Sequence, residues 1–398
     1  MPVETVWGLA LNNPLTVPPA YDGSLAFFSI EGDRLVAYDL LSGTQQWLVT
    51  ARPLTEPAAG DGLVFVLEAD ALKALRTTDG SVAWELPVVD PLAVRPVWDN
   101  GWLVVALANG EVRAYRATDG QLIWNRDLKS PAHALPALAA DRVYVPTTDG
   151  RIVALRVETG EPLWERRLGG APNDILALDT RLYMGSQDNF FYCVMAADGR
   201  VDWRWRTGGD VIGRPVADER SVYFVALDNV LRAHNLVSGG QQWMRSLPMR
   251  PAWGPMKAGA SLVVAGQNAP LRAFNIKDGT PAIGTLVGVG PQPQAVIDAN
   301  AEAENNPEYD DDGEPIKRKP LTFLTLAVDI PVAAPPYVLE HPVSHQPLAL
   351  LLFKDIATGV SATLVRRSVE PTLIPAVAQL PNLIQIAPVT PTTPPPRP

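Results

Sequence analysis

Three short phrases carry the side chains best suited to chemistry. "VRPVWD" (94–99), "GRPVAD" (213–218) and "MRPAWG" (249–254) each place an arginine before a proline. A guanidinium presents a planar fork of donors that grips a carboxylate or other small anion at two points. Arg95, Arg214 and Arg250 match one another when the phrases are laid side by side. They are the candidate binding residues, a positive collar at a channel mouth in an otherwise acidic protein. Trp98 and Trp253 follow two of them at the same offset, and Trp beside Arg suits a protein-binding hot spot. The plainer alternative is that each arginine pairs with a nearby acid and the tryptophans pack inside.

Other residues point to chemistry less well. His341 and His345 are four apart, but the prolines of "HPVSHQP" oppose the helix that would turn both toward one metal. "YDDDGE" (309–314) is acidic but lacks the alternate-residue ligands and closing Glu of a calcium loop. His133 and His234 stand alone and read as surface or turn residues. Cys193 is the only cysteine, which excludes an intramolecular disulfide and a thiolate metal cluster. No nucleophile elbow or phosphate loop is present. No catalytic residue, metal ligand or cofactor is therefore expected.

The bulk composition narrows the partners. The chain has 398 residues, a net charge of −10 and no basic stripe, so a nucleic-acid surface is not expected. Apolar residues make up 47 %, enough for a large core. No run of 18 apolar residues reads as a membrane-spanning helix. The opening "MPVETVWGLALNNP" lacks the basic start and long apolar core of a secretory signal.

The elements that must position these side chains repeat. Turn glycines stand at Gly43, Gly80, Gly120, Gly160, Gly199, Gly239 and Gly279, at intervals of 37, 40, 40, 39, 40 and 40 residues. Four residues after the first six stand Trp47, Trp84, Trp124, Trp164, Trp203 and Trp243; the seventh copy has Ile283 instead. Each unit reads as four short strands. In residues 132–168 they are "HALPAL", "DRVYVPT", "RIVALRV" and "PLWERRL", divided by Asp-Gly and Thr-Gly turns. Strand-rich units of about 40 residues read as propeller blades. The repeated Trp is expected to lie over the next blade, where burying ~200 Å² of ring is worth at most roughly 4–5 kcal/mol.

The two ends of the chain complete one another. Trp7 lies fifteen residues before Asp22-Gly23, close to the fourteen that separate Trp47 from Asp61-Gly62. "APPYVLEHP", "PLALLLFKD" and "GVSATLVRRS" supply three strands of a blade with no outer strand, and Gly359 takes the part of Gly150. The expectation is an all-β, eight-bladed propeller of four-stranded antiparallel blades, closed by an N-terminal strand that completes the C-terminal blade. Closure removes the sheet edges that invite aggregation. Residues 1–287 would form the closing strand and seven blades, and 335–367 the last blade. Residues 288–334 would be a charged insertion, with "LTFLTLAVDI" an extra or displaced strand. Residues 368–398 would be a proline-rich tail.

The phrases "AYDLLSGTQQW", "ALRTTDGSVAW", "AYRATDGQLIW", "ALRVETGEPLW" and "AHNLVSGGQQW" resemble the tryptophan-docking repeat of the PQQ-type β-propeller family. The resemblance covers about 320 residues. That superfamily holds quinoprotein dehydrogenases and non-enzymatic scaffolds. The dehydrogenases typically hold their quinone against two adjacent cysteines and use a carboxylate-bound calcium or lanthanide, which a chain with one cysteine does not match. The resemblance therefore implies a BamB-type, non-enzymatic scaffold that binds protein partners in outer-membrane barrel assembly, by blade-edge loops, a ring face or β-augmentation. The expected partner is the barrel assembly core, the expected state a monomer within a complex, and the expected place the periplasmic side of the outer membrane. The alternatives are a cytoplasmic location, a ligand-sensing propeller that takes a small anion, sugar or peptide in its channel, and a quinoprotein dehydrogenase.

Overall fold

A computed structural model describes residues 3–88, 90–178, 180–266, 269–282, 333–345, 347–355 and 359–367. The described residues form strands and turns without a helix. Blade 4 shows the pattern: strands Ala137–Ala139, Arg142–Pro146, Arg151–Arg156 and Pro162–Arg167 pair antiparallel in chain order. Blades 1, 2, 3, 5 and 6 repeat this order. Blade 7 has three strands among the described residues, Met256–Ala258, Ser261–Gly266 and Ala269–Asn275. Ile283, the charged insertion up to residue 332, "LTFLTLAVDI" and the tail from 368 lie outside the described residues.

The eighth sheet closes the ring. Tyr337–Glu340, Pro347–Asp355 and Gly359–Arg367 are its first three strands, and Val3–Ala10 is its fourth. The N-terminal strand runs antiparallel to the last, from Val3 opposite Arg367 to Ala10 opposite Ser361.

The core is divided among the blade interfaces. Strand residues alternate between two faces, and both faces are buried. Phe27 packs toward blade 2 with Val64, while Phe28 packs toward blade 8 with Leu350. Val143 joins Val104 of blade 3, and Tyr144 joins Leu182 of blade 5. Eight such apolar clusters follow one another around the ring, each shared by two neighbouring blades. This explains the unbroken apolar runs such as "LVFVL" and "SVYFVA".

The repeated tryptophans fasten these interfaces from outside. Each indole Nε1–H donates to a backbone carbonyl in the next blade: Trp47 to Thr77 (2.7 Å), Trp84 to Ala117 (2.9 Å), Trp124 to Val157 (2.6 Å) and Trp164 to Ala196 (2.9 Å). Trp203 reaches Leu236 and Trp243 reaches Ile276, both at 3.2 Å. Trp7 on the closing strand does the same to Leu40 of blade 1 at 2.8 Å. The ring lies on the turn glycine of that next blade. A Cβ on Gly160 would come within 2.6 Å of the Trp124 ring, and one on Gly43 within 2.9 Å of the Trp7 ring. These glycines also hold φ near +70° (Gly160 +67°, Gly43 +71°), the left-handed region that costs other residues about 1–2 kcal/mol. The Gly-x-x-x-Trp phrase thus joins the parts of two different contacts, one to each neighbour.

The strand residue opposite each of the six internal docking tryptophans is small. Ala37, Ala74, Ala114, Ala154 and Ala233 face Trp47, Trp84, Trp124, Trp164 and Trp243, and Cys193 faces Trp203. Cys193 is fully buried at this position. Burial pushes its thiol up to about 12, so it stays protonated and unreactive at neutral pH.

Candidate binding site in the central channel

A cavity of about 700 Å³ lies on the propeller axis, and all eight blades line it. That volume falls in the range of small-molecule sites. The lining comes from the short inner strands and the segments that lead into them, among them Tyr21, Glu56, Arg95, Trp98, Asp99, Asp174, Arg214, Trp253 and Tyr337.

Strand register shows which residues share a level. Val97 pairs with Val104 and Val216 with Tyr223, and Arg95 and Arg214 each lie two residues earlier. The same count from Ala58 opposite Phe65 gives Glu56, and from Leu176 opposite Tyr183 gives Asp174. From Met256 opposite Val263 it gives Gly254. The level therefore holds two acids and two arginines in alternation around the axis, not three arginines.

This corrects the expected collar. Arg250 is exposed and is not part of the channel lining. It stands seven residues after Trp243, whereas Arg95 and Arg214 stand eleven after Trp84 and Trp203. The shared "RP" phrase concealed this slip. Trp98 and Trp253 both line the channel but at different levels. Trp98 lies on Gly60 of blade 2, where a Cβ would overlap its ring.

The charges differ in how they are satisfied. Arg95 Nε is 3.1 Å from Glu56 Oε1, both side chains about one-third accessible. Burial raises the Glu56 carboxyl, Arg95 opposes the shift and Asp174 adds to it. Asp174 Oδ1 accepts from the Leu135 amide at 3.2 Å. Among the described residues no carboxylate lies within ion-pair distance of Arg214. Arg214 is exposed as a residue and lines the open channel, yet the surrounding protein partly desolvates its guanidinium and lowers its pKa. Asp174 and then Asp99 oppose this shift. Burial likewise raises the Asp99 carboxyl against the pull of Arg214. Tyr21 and Tyr337 stack at 3.9 Å and 3° across the closure seam, and Tyr337 donates to the Gly23 carbonyl at 3.1 Å.

The histidines form no joint site. His345 Nδ1 is 2.6 Å from Glu340, while His341 Nδ1 accepts the amides of Val343 and Ser344 at 3.2 Å in a surface turn. His133 meets Gln187. His234 is not a surface residue: it is fully buried beside Trp203, Trp205 and Phe224. Among the described residues no three His, Cys, Asp or Glu side chains gather as a metal site.

Sequence reasoning missed Glu56 and Asp174, because "TEPAAG" and "NDILAL" share no phrase with the arginine segments. Counting from the docking Trp does not find them either, since they stand nine and ten residues on where the arginines stand eleven.

Comparison with known proteins places the chain. The family model described as outer membrane protein assembly factor BamB matches residues 4–96, 71–176 and 169–284. The BamB of Yersinia pestis is 26 % identical over 110 residues, which cover 26 % of this chain and only 28 % of that protein. The crystal structure of BamB from Moraxella catarrhalis superposes with a TM-score of 0.53 at 15 % identity, over 66 % of this chain and 97 % of that one. The quinohemoprotein alcohol dehydrogenase of Comamonas testosteroni gives 0.63 at 11 % identity, over 92 % and 77 %. At such identities the structural likenesses show a shared fold, and fold alone does not carry function.

Proposed function

We propose that this chain, which belongs to the family of outer membrane protein assembly factor BamB, is a non-enzymatic scaffold in the assembly of outer-membrane β-barrel proteins. The observation that carries the reading is the family match, which runs through the propeller from residue 4 to residue 284. The architecture suits the role. Eight shared cores and a closed ring make a rigid body. Its rim presents free strand edges and exposed apolar side chains: Leu48, Val82, Leu122, Trp205 and Met244 on outer strands, each 36–53 % accessible. Such side chains beside unpaired backbone favour a partner strand added to the edge. The partner is the barrel assembly core, and the location is the periplasmic side of the outer membrane.

The reading is tested by removing the protein from its native cells and quantifying folded outer-membrane barrels. It expects a general fall in their abundance, restored by the intact chain. Unchanged barrel levels, with the remaining assembly machinery at normal amounts, would contradict it.

A further inference from the structure

The channel charges are arranged for a ligand with both signs. Five ionic side chains face the cavity: Glu56, Asp99 and Asp174 against Arg95 and Arg214. Glu56 and Arg95 satisfy each other. Arg214 lines the same cavity as Asp99 and as Asp174, which stands at its own level on the neighbouring blade, and among the described residues it is within ion-pair distance of neither. Opposite charges held apart in a partly desolvated site are costly until something bridges them. A simple anion is a poor bridge, since the five side chains sum to −1 and two carboxylates share the cavity with the Arg214 guanidinium, which is unpaired among the described residues. A sugar would hydrogen-bond these groups without neutralising them. A zwitterion neutralises both.

We propose that the channel mouth binds a small zwitterion of the amino-acid class, free or as a short peptide. Its carboxylate sits on the Arg214 fork and its ammonium between Asp99 and Asp174. The channel wall also carries Trp98, Trp253 and the stacked Tyr21–Tyr337 pair, so a ligand with an aromatic or apolar side chain is favoured. The proposal rests on the channel and not on the rim, so it stands or falls separately from the assembly role.

The test is calorimetric titration of the full-length purified protein. The probes are L-phenylalanine, glycyl-phenylalanine, 3-phenylpropionate with the anionic group alone, phenethylamine with the cationic group alone, maltose and sulfate. At least one of the first two should bind with Kd below about 1 mM, and each single-charge analogue about tenfold more weakly or worse. Comparing the two zwitterions assigns a free amino acid or a peptide. Arg214→Gln should weaken the zwitterion by about tenfold or more, and Arg250→Gln, outside the channel, should not. Asp99→Asn should weaken the zwitterion but strengthen 3-phenylpropionate, a gain that a misfolded variant cannot produce. The proposal is overturned if neither zwitterion binds, if a single-charge analogue, maltose or sulfate binds as tightly, or if Asp99→Asn leaves both affinities unchanged.

Discussion

The Trp7→Ala substitution would test whether the chain ends hold the ring shut. Trp7 lies on the closing strand, over Gly43 of blade 1, and its indole donates to the Leu40 carbonyl at 2.8 Å. A buried Trp→Ala change costs about 3–5 kcal/mol, and half-burial of Trp7 argues for about 3 kcal/mol. For a domain this long each kcal/mol moves Tm by about 2 °C, so a fall of about 6 °C is expected by calorimetry. Trp7→Phe keeps a ring but loses the hydrogen bond, worth about 1 kcal/mol and about 2 °C. Gly43→Ala forces a Cβ to 2.9 Å from that ring at φ +71°. In the Trp7→Ala background the overlap disappears and only the backbone cost of about 1–2 kcal/mol remains. If Trp7→Ala leaves Tm unchanged while Trp124→Ala, at an internal interface, lowers it, the N-terminal strand does not close the ring.

Further outcomes follow from the same contacts. His234 is buried, with its Nδ1 on the Gly239 carbonyl and Arg232 nearby; burial first, then Arg232, lowers its pKa from 6.5 to about 4. The unfolded chain then takes up this proton more readily than the folded one, so stability falls as pH drops from 6.5 towards 4, by up to about 3 kcal/mol. His234→Leu should remove that loss, seen as a smaller difference between Tm at pH 7 and at pH 4.5. Glu56→Gln takes the counter-charge from Arg95 and should cost about 1 kcal/mol in denaturant unfolding, a modest value because both side chains keep solvent contact. Arg250→Ala should stay within about 0.5 kcal/mol of the parent, unlike a member of a charged collar.

The blades were legible in the sequence because each repeat must solve the same two contacts. A glycine is needed where the preceding Trp ring leaves no room for a Cβ, and a Trp is needed where the next blade offers a carbonyl. These demands recur at about 40-residue intervals and survive in the letters. Trp7 betrayed the closing strand for the same reason. The channel was less legible, since a binding wall has no duty to repeat. Its level carries Glu56, Arg95, Leu135, Asp174, Arg214 and Gly254 in successive blades, which no phrase unites. Only the pairing register aligns them, and a local likeness drew Arg250 into the set. His234 was misplaced because a lone polar side chain reads as surface, although its repeat position carries Leu75, Tyr115, Leu155 and Val194 in other blades.

The proposed scaffold role of this propeller is put to the test by mild crosslinking in native cells. The tagged protein is then purified and its bound proteins are identified by mass spectrometry. An assembly scaffold will bring down the outer-membrane barrel assembly core, with crosslinks from the outer strands of the blades. Recovery of cytosolic proteins alone, from a sample in which the tagged chain is folded and abundant, would contradict it.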